Sequence, residues 1–208
     1  MRALGAVVAV VLGGLAAGVL PAAADTVLGH PPGPPSARER LLLLAAAAGP
    51  AAADGSTGRY SRVHLVRWVR SGTAVARIDS ERWRAPDGSG RVSERRVDPP
   101  GPGSTVDYSS GELPMPPVDP TADPTAIVTS LLDMIGVRYL DRPERAAALR
   151  TIAGLPGLAA AGQGFSVPVG ATRLTIELDP GTGEIVAWQY GDAERVEVLS
   201  RERVADLP

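Results

Sequence analysis

Hydrophobic and polar residues alternate along the stretch from Tyr60 to Arg84, with a break near its middle. Alternation with a period of two is typical of β-strands, whose side chains point to opposite faces of a sheet. The break, Ser71-Gly72-Thr73-Ala74, is typical of a two-residue hairpin turn with glycine in its first position. The stretch therefore predicts two long antiparallel strands at the centre of a sheet. The turn also fixes the pairing, which places Arg62 opposite Trp83, His64 opposite Glu81, and Trp68 opposite Arg77.

This pairing gives the two faces of the hairpin different characters. One face is mostly aliphatic and is the predicted core face, with Val63, Leu65, Val69, Ala76 and Ile78. The other face carries aromatic, basic and acidic side chains, and its members are the candidate ligand- or partner-binding residues: Arg62, His64, Trp68, Arg77, Glu81 and Trp83. Because a guanidinium group is attracted to the face of an indole ring, each Trp/Arg pair predicts a cation-π contact.

Three stretches carry the capping residues of helices. Ser36 and Glu39 have capping-box spacing before a run of leucine and alanine, which predicts a helix from about Ala37 to Ala48, well buried on the sheet. Asp123-Pro124 predicts the start of a helix over 126–135. Asp141 and Glu144 predict the start of a third helix that continues through 152 by the same capping logic.

Shorter alternating runs predict further strands over 91–97, 165–169, 172–178, 184–190 and 194–204. The proline- and glycine-rich segment 98–122 predicts a long irregular loop. This order of elements predicts an α+β fold, in which a curved, half-barrel-like antiparallel sheet has helices packed on one face. Residues 36–208 are expected to form a single domain.

The first 24 residues have the pattern of a secretory signal peptide. Arg2 precedes an uncharged apolar stretch, and Ala22-Ala23-Ala24 forms a small-residue cleavage site. An uncleaved membrane anchor is the alternative, since about 20 apolar residues can span a bilayer. A proline-rich linker over 25–35, which includes His30, follows on either interpretation. Both predict an extracytoplasmic domain, either secreted or anchored to the outer face of the cytoplasmic membrane.

Composition and motifs limit the kinds of partner, metal site and catalytic site that this chain could have. The formal net charge of -2 gives no electrostatic reason to expect a nucleic-acid partner. The absence of cysteine excludes disulfides, thiolate metal sites and thiol catalysis. The sequence lacks the motifs of serine hydrolases, zinc peptidases, phosphate-binding loops and dinucleotide-binding folds, so no metal and no cofactor is expected. His64 and Glu81 are the acid/base candidates, because a carboxylate can orient and tune an imidazole.

Four strings carry a resemblance to a known family: YSRVHLVRWVRSG, ERWRAPDGSGR, RPERAAALRTIAGLPG and ELDPGTGEIVAW. In these the chain is similar to a family of uncharacterised actinobacterial proteins that are exported and often membrane-anchored. The resemblance covers most of 58–188 and implies export, but it carries no active-site residues. The short N-terminus departs from members that have a cytoplasmic segment before the membrane helix. The order of elements also resembles the half-barrels of lipoprotein-carrier and envelope-stress-sensor domains, which is a similarity of fold alone.

Together these features predict a non-enzymatic cell-envelope module that engages a hydrophobic ligand or an envelope protein on the concave, aromatic face of its sheet. A lipid carrier requires an apolar cavity between sheet and helices, whereas a scaffold or sensor requires a filled core and an exposed Trp/Arg face. Membrane association would come from the N-terminal segment if it stays uncleaved. The alternative function is that of an envelope hydrolase that uses the His64–Glu81 pair.

Overall fold

A computed structural model describes residues 34–48, 57–113, 119 and 122–208. These residues form helices α1 (Ala37–Ala48), α2 (Pro124–Ile135) and α3 (Arg142–Ala153), together with strands β1 (Tyr60–Ser71), β2 (Ala74–Arg84), β3 (Gly90–Asp98), β4 (Gly103–Tyr108), β5 (Ala159–Ala161), β6 (Gly164–Val169), β7 (Thr172–Leu178), β8 (Ile185–Tyr190) and β9 (Glu194–Val204). The predicted signal peptide, almost all of the predicted linker, and part of the predicted loop lie outside the described residues.

The strands form one open antiparallel sheet in the order β4-β3-β2-β1-β9-β8-β7-β6-β5. Strands β1 to β4 form one meander and strands β5 to β9 form another, and the pairing of β1 with β9 joins them. The hairpin of β1 and β2 therefore lies in the middle of the sheet, as predicted. The α+β fold with a curved antiparallel sheet is also confirmed.

The predicted register of the central hairpin is confirmed from Ser61 to Ser71, with the turn at Gly72-Thr73. Gly72 has a φ of 61°, a left-handed conformation that glycine adopts without steric cost. On its other side, β1 pairs with β9 through an irregularity at His64 and Leu65, where Ser200 and Val198 are the successive partners. Leu199 is therefore the extra residue of a β-bulge, and 54% of it is exposed.

Helices cover one face of the sheet, and the core lies between them. Val63 and Leu65 of β1 join a buried cluster with residues of all three helices and of β6 to β9. Val69, Ala76 and Ile78 lie nearer the hairpin turn; they are half-buried and lie outside the core clusters. The predicted core face is thus confirmed for the inner half of the hairpin, while its outer half extends past the core.

The helix caps follow the sequence closely. Glu39 N–H donates to Ser36 Oγ at 3.2 Å while Ser36 N–H donates to Glu39 Oε2 at 2.7 Å, which completes the predicted capping box of α1. Asp123 caps α2, and Asp141 forms a second capping box with Glu144 on α3. No helix within the described ranges is long and apolar enough to cross a membrane.

Two predictions about the fold are wrong. Helix α1 packs mainly on α3 rather than on the sheet, and it buries one side only, so Leu42 and Leu43 are 43% and 63% exposed. A continuous leucine run surrounds a helix, and a partner on one side cannot cover all of it. Within the predicted irregular loop, Gly103–Tyr108 forms edge strand β4 against β3, because the neighbouring prolines and glycines make a turn that folds this segment back. The three-residue strand β5 was also not predicted.

Candidate functional site: the polar face of the sheet

The sheet face that points away from the helices carries the candidate residues. We call its hairpin portion the polar sheet face, and it consists of Arg62, His64, Trp68, Arg77, Asp79 and Glu81. Strand alternation places these side chains together on neighbouring strands. Val66 lies among them and is 1% exposed, so this face is covered by its own long side chains.

Both predicted cation-π contacts are present. The guanidinium carbon of Arg77 lies 5.8 Å from the centre of the Trp68 ring, and that of Arg62 lies 5.9 Å from the Trp83 ring. Arg77 is exposed and Trp68 is half-buried. The Trp68–Arg77 pair is therefore accessible near the turn of the hairpin.

Trp83 does not belong to the accessible site. It is 5% exposed and packs in a small cluster with Tyr60 and Ala85, against which Val204 and Leu207 also pack. The chain that follows β9 thus covers this ring, and Arg62 closes it from the side. The prediction of Trp83 as a surface contact is wrong in this respect, since sequence alternation cannot show that the C-terminal residues fold over it.

The polar side chains pair differently from the prediction. His64 Nε2 lies 2.6 Å from Asp79 Oδ1, and Glu81 is instead bound by Arg62 at 3.3 Å. Arg62 also donates to Glu202 Oε1 of β9 at 2.6 Å, and this hydrogen bond is the main reason that the pKa of Arg62 is raised. The expected His64–Glu81 side-chain pair is therefore wrong, although the two residues do lie opposite each other in the register.

Both contacts follow the same diagonal across the strands. His64 bonds the residue opposite Val66, and Arg62 bonds the residue opposite His64. The right-handed twist of antiparallel strands brings such diagonal neighbours within reach of long side chains. The register of the hairpin places Asp79 opposite Val66 on this face, so the diagonal rule is the signal that could have identified it.

The His64–Asp79 pair is similar to the base and orienting acid of a hydrolase, but the surrounding groups do not complete one. Ser200 of β9 lies opposite His64, yet within the described part of the chain it makes no hydrogen bond to the imidazole. A nucleophile must be in hydrogen-bond reach of its base. No group of three or more His, Asp or Glu side chains in the described ranges could hold a metal ion.

An open groove lies beside the charged pairs. It runs along β2, β3 and β4 with a volume of about 310 Å³, and its polar lining includes Asp79, Glu81, Ser93, Arg95 and Thr105. The edge strand β4 that borders the groove is exposed from Gly103 to Asp107. The groove is shallow and polar, so it extends the docking area of the polar sheet face rather than enclosing a small apolar ligand.

The core between α2, α3 and β8 is closely packed, and the larger clefts at its margins, of about 220 and 240 Å³, are lined partly by charged side chains. A cavity between Ile135, Leu149 and Ile185 has a volume of about 20 Å³, which is room for about one water molecule. Arg201 of β9 lines it, and Arg145 binds Glu184 at 3.1 Å beside it. Burial lowers the pKa of Arg201 to about 10, and its Nε and Nη2 atoms are buried without a hydrogen-bond partner among the described residues. The alternation along β9 does not reveal a charged residue on the core face, so this group could not be predicted from sequence.

No protein-family model matches the chain, and no curated protein is significantly similar to it. The resemblance to an exported actinobacterial family therefore stays a prediction.

Proposed function

We propose that this protein is an exported, non-enzymatic module of the cell envelope that docks a protein partner on its polar sheet face. The observation that carries the proposal is the contrast between the two sides of the sheet. The core between α2, α3 and β8 is filled, and the clefts at its margins are lined partly by charged side chains, whereas the opposite side presents an accessible Trp68–Arg77 pair among charged residues. Export rests on the signal-like N-terminal sequence.

The packed interior favours a protein partner over a hydrophobic ligand. Pockets for small organic ligands have volumes of about 300–1,000 Å³ and bury most of the ligand. The cavity between α2, α3 and β8 has about 20 Å³, which excludes an acyl chain from that position in this conformation. Lipid carriage at this position would require α3 to separate from β8 and so expose Leu149 and Ile185, which are now 1% and 4% exposed.

The composition of the polar sheet face favours a protein surface as the occupant. Tryptophan and arginine are the residue types that most often dominate the energy of protein interfaces. Here Trp68 and Arg77 lie at the outer half of the hairpin, where Val75 adds an aliphatic side chain that is 44% exposed. Charges of both signs surround this pair, through Arg62–Glu81 and His64–Asp79. We infer a partner with an apolar contact patch and a complementary mixed-charge rim.

A photo-crosslinking experiment tests the proposal in the organism that makes the protein. In the full chain, benzoylphenylalanine replaces Val75, which lies two residues from Arg77 on the same face and is exposed, and a control chain carries it at Arg150, an exposed position on α3. We expect a discrete adduct with one other polypeptide from position 75 only, and its yield should fall at least tenfold when Trp68→Ala is added. Equal adducts from both positions, an adduct of lipid mass, or an adduct unaffected by Trp68→Ala would contradict the proposal.

The hydrolase alternative has its own variant. His64→Ala removes the imidazole that Asp79 holds and leaves the Trp68–Arg77 pair intact. Under the docking proposal this variant retains the crosslink from position 75 to within about threefold, because His64 lies at the rim of the contact, where single side chains contribute little. A host phenotype that is lost in His64→Ala while the crosslink persists would support the hydrolase instead.

A further inference from the structure

Two arginines flank one serine at the end of the sheet opposite the hairpin turn, on the helix-covered side. Ser61 of β1 pairs with Arg84 of β2 on one side and with Arg203 of β9 on the other. Neighbouring strands lie about 5 Å apart, so the two arginines start about 10 Å from each other across the serine. A pocket of about 220 Å³ opens at this row, between Ala85 and Pro86 and the connection from α2 to α3.

A third arginine reaches the same pocket from the segment between α2 and α3. Arg138 lines it together with Arg84 and Arg203, and no carboxylate among the described residues lines it. Each guanidinium has a contact that orients it. Arg84 Nη1 donates to the carbonyl oxygen of Leu113, Arg138 forms an ion pair with Glu144, and Arg203 lies 5.6 Å from the centre of the Tyr139 ring.

Burial and mutual repulsion destabilise the charged arginines of this pocket. Burial, and then the charge of Arg138, lower the pKa of Arg84. Burial, and then the charge of Arg203, lower the pKa of Arg138, and the nearby Asp141 offsets only part of this. Positive groups that destabilise one another in a cleft are typical of binding sites, because a bound anion relieves the repulsion.

We propose that this pocket binds a phosphate group as a dianion, held by Arg84, Arg138 and Arg203 around Ser61. Planar guanidinium groups bind phosphate oxygens through two parallel hydrogen bonds, and three of them line this pocket. The phosphate belongs either to a soluble phosphomonoester or to the headgroup of a phospholipid. The site lies on the helix-covered side, so it is separate from the polar sheet face and independent of the docking proposal.

The test uses the purified full chain with inorganic phosphate as the probe. Phosphate is titrated into the protein in a calorimeter at pH 8, where phosphate is a dianion. Sodium chloride at the same ionic strength is the reference titrant. We expect saturable binding, and the affinity for phosphate should fall at least tenfold in Arg203→Gln and in Arg138→Gln. A charge-assisted hydrogen bond accounts for roughly that factor in affinity. Arg150→Gln, which removes an exposed arginine of α3, should bind like the original protein. Arg84 is 9% exposed, so it is left intact to avoid loss of folding.

A second arm distinguishes the two sources of the phosphate. Vesicles of phosphatidylcholine with one fifth phosphatidic acid are sedimented with the protein, and inorganic phosphate is added as competitor. Cosedimentation that phosphate abolishes and Arg203→Gln weakens supports a lipid headgroup, whereas phosphate binding without cosedimentation supports a soluble ligand. The proposal is overturned if phosphate gives no saturable heat beyond chloride, or if Arg203→Gln binds phosphate as well as Arg150→Gln does.

Discussion

Replacing Arg201 with methionine is expected to make the folded protein more stable. Burial lowers the pKa of this arginine from its ordinary value to about 10. That shift corresponds to about 3 kcal/mol in favour of the neutral form. Because a guanidinium stays charged at neutral pH, the folded state carries this cost. Arg145 continues to bind Glu184 after the substitution, so no carboxylate is left without a partner.

Methionine is smaller than arginine and enlarges the cavity beside Leu149, which costs up to about 1 kcal/mol. The net expectation is a gain of about 1–2 kcal/mol in the free energy of unfolding, in line with other replacements of buried charge by apolar groups. Urea unfolding at pH 7 and low salt, followed by tryptophan fluorescence, measures the change without adding ions.

Two control variants isolate the cause. Arg201→Lys keeps the buried charge and should give no gain, and Arg150→Met removes an exposed arginine and should change stability by less than about 0.5 kcal/mol. A loss of more than 1 kcal/mol in Arg201→Met, with an unchanged dependence on urea, would refute the reasoning. It would mean that a favourable interaction of this arginine outweighs its burial.

Three further outcomes are expected. Deleting Leu207 and Pro208 uncovers Trp83, so the fluorescence emission moves to longer wavelength, and the same deletion in Trp83→Phe gives no such shift. Asp141→Ala removes a capping box and lowers the free energy of unfolding by about 1 kcal/mol, whereas Asp192→Ala in an exposed turn changes it by less than about 0.5 kcal/mol. Hydrogen bonds from Thr182 and Gly181 lower the pKa of Asp179 in the folded protein below its ordinary value of 3.8. The ionised Asp179 therefore stabilises the fold above pH 3.8, and this stabilisation is lost as the pH falls through the lowered pKa of the folded state. The melting temperature, followed from pH 6 to pH 2, should therefore fall less steeply for Asp179→Asn than for the original protein.

The central hairpin could be predicted from sequence because local chemistry determines it. Alternation assigns the faces, and a glycine with φ of 61° fixes the turn and hence every cross-strand pair. The cation-π contacts of Trp68 and Trp83 follow directly from that register. The helix starts could be predicted for the same reason, since Ser36, Asp123 and Asp141 act on backbone groups within three residues.

The remaining features depend on contacts between distant parts of the chain. The twist of the strands brings His64 within hydrogen-bond reach of Asp79 rather than of Glu81. Twist is a property of the paired strands and cannot be seen in the sequence of either strand alone. The covering of Trp83 depends on where the residues after β9 turn. The arginine pocket joins Arg84, Arg138 and Arg203, which are far apart in sequence and meet only once β1 lies between β2 and β9.

Native mass spectrometry of the full chain, isolated under mild conditions from its own host, tests the docking proposal most directly. The original protein is compared with a variant that carries Trp68→Ala and Arg77→Ala. These changes remove the accessible aromatic pair without disturbing the buried core. The docking proposal predicts a stoichiometric complex with a second polypeptide, and this complex should disappear in the variant. A complex that persists in the variant would contradict the docking proposal. Lipid adducts that remain on the chain after Arg203→Gln would contradict it as well.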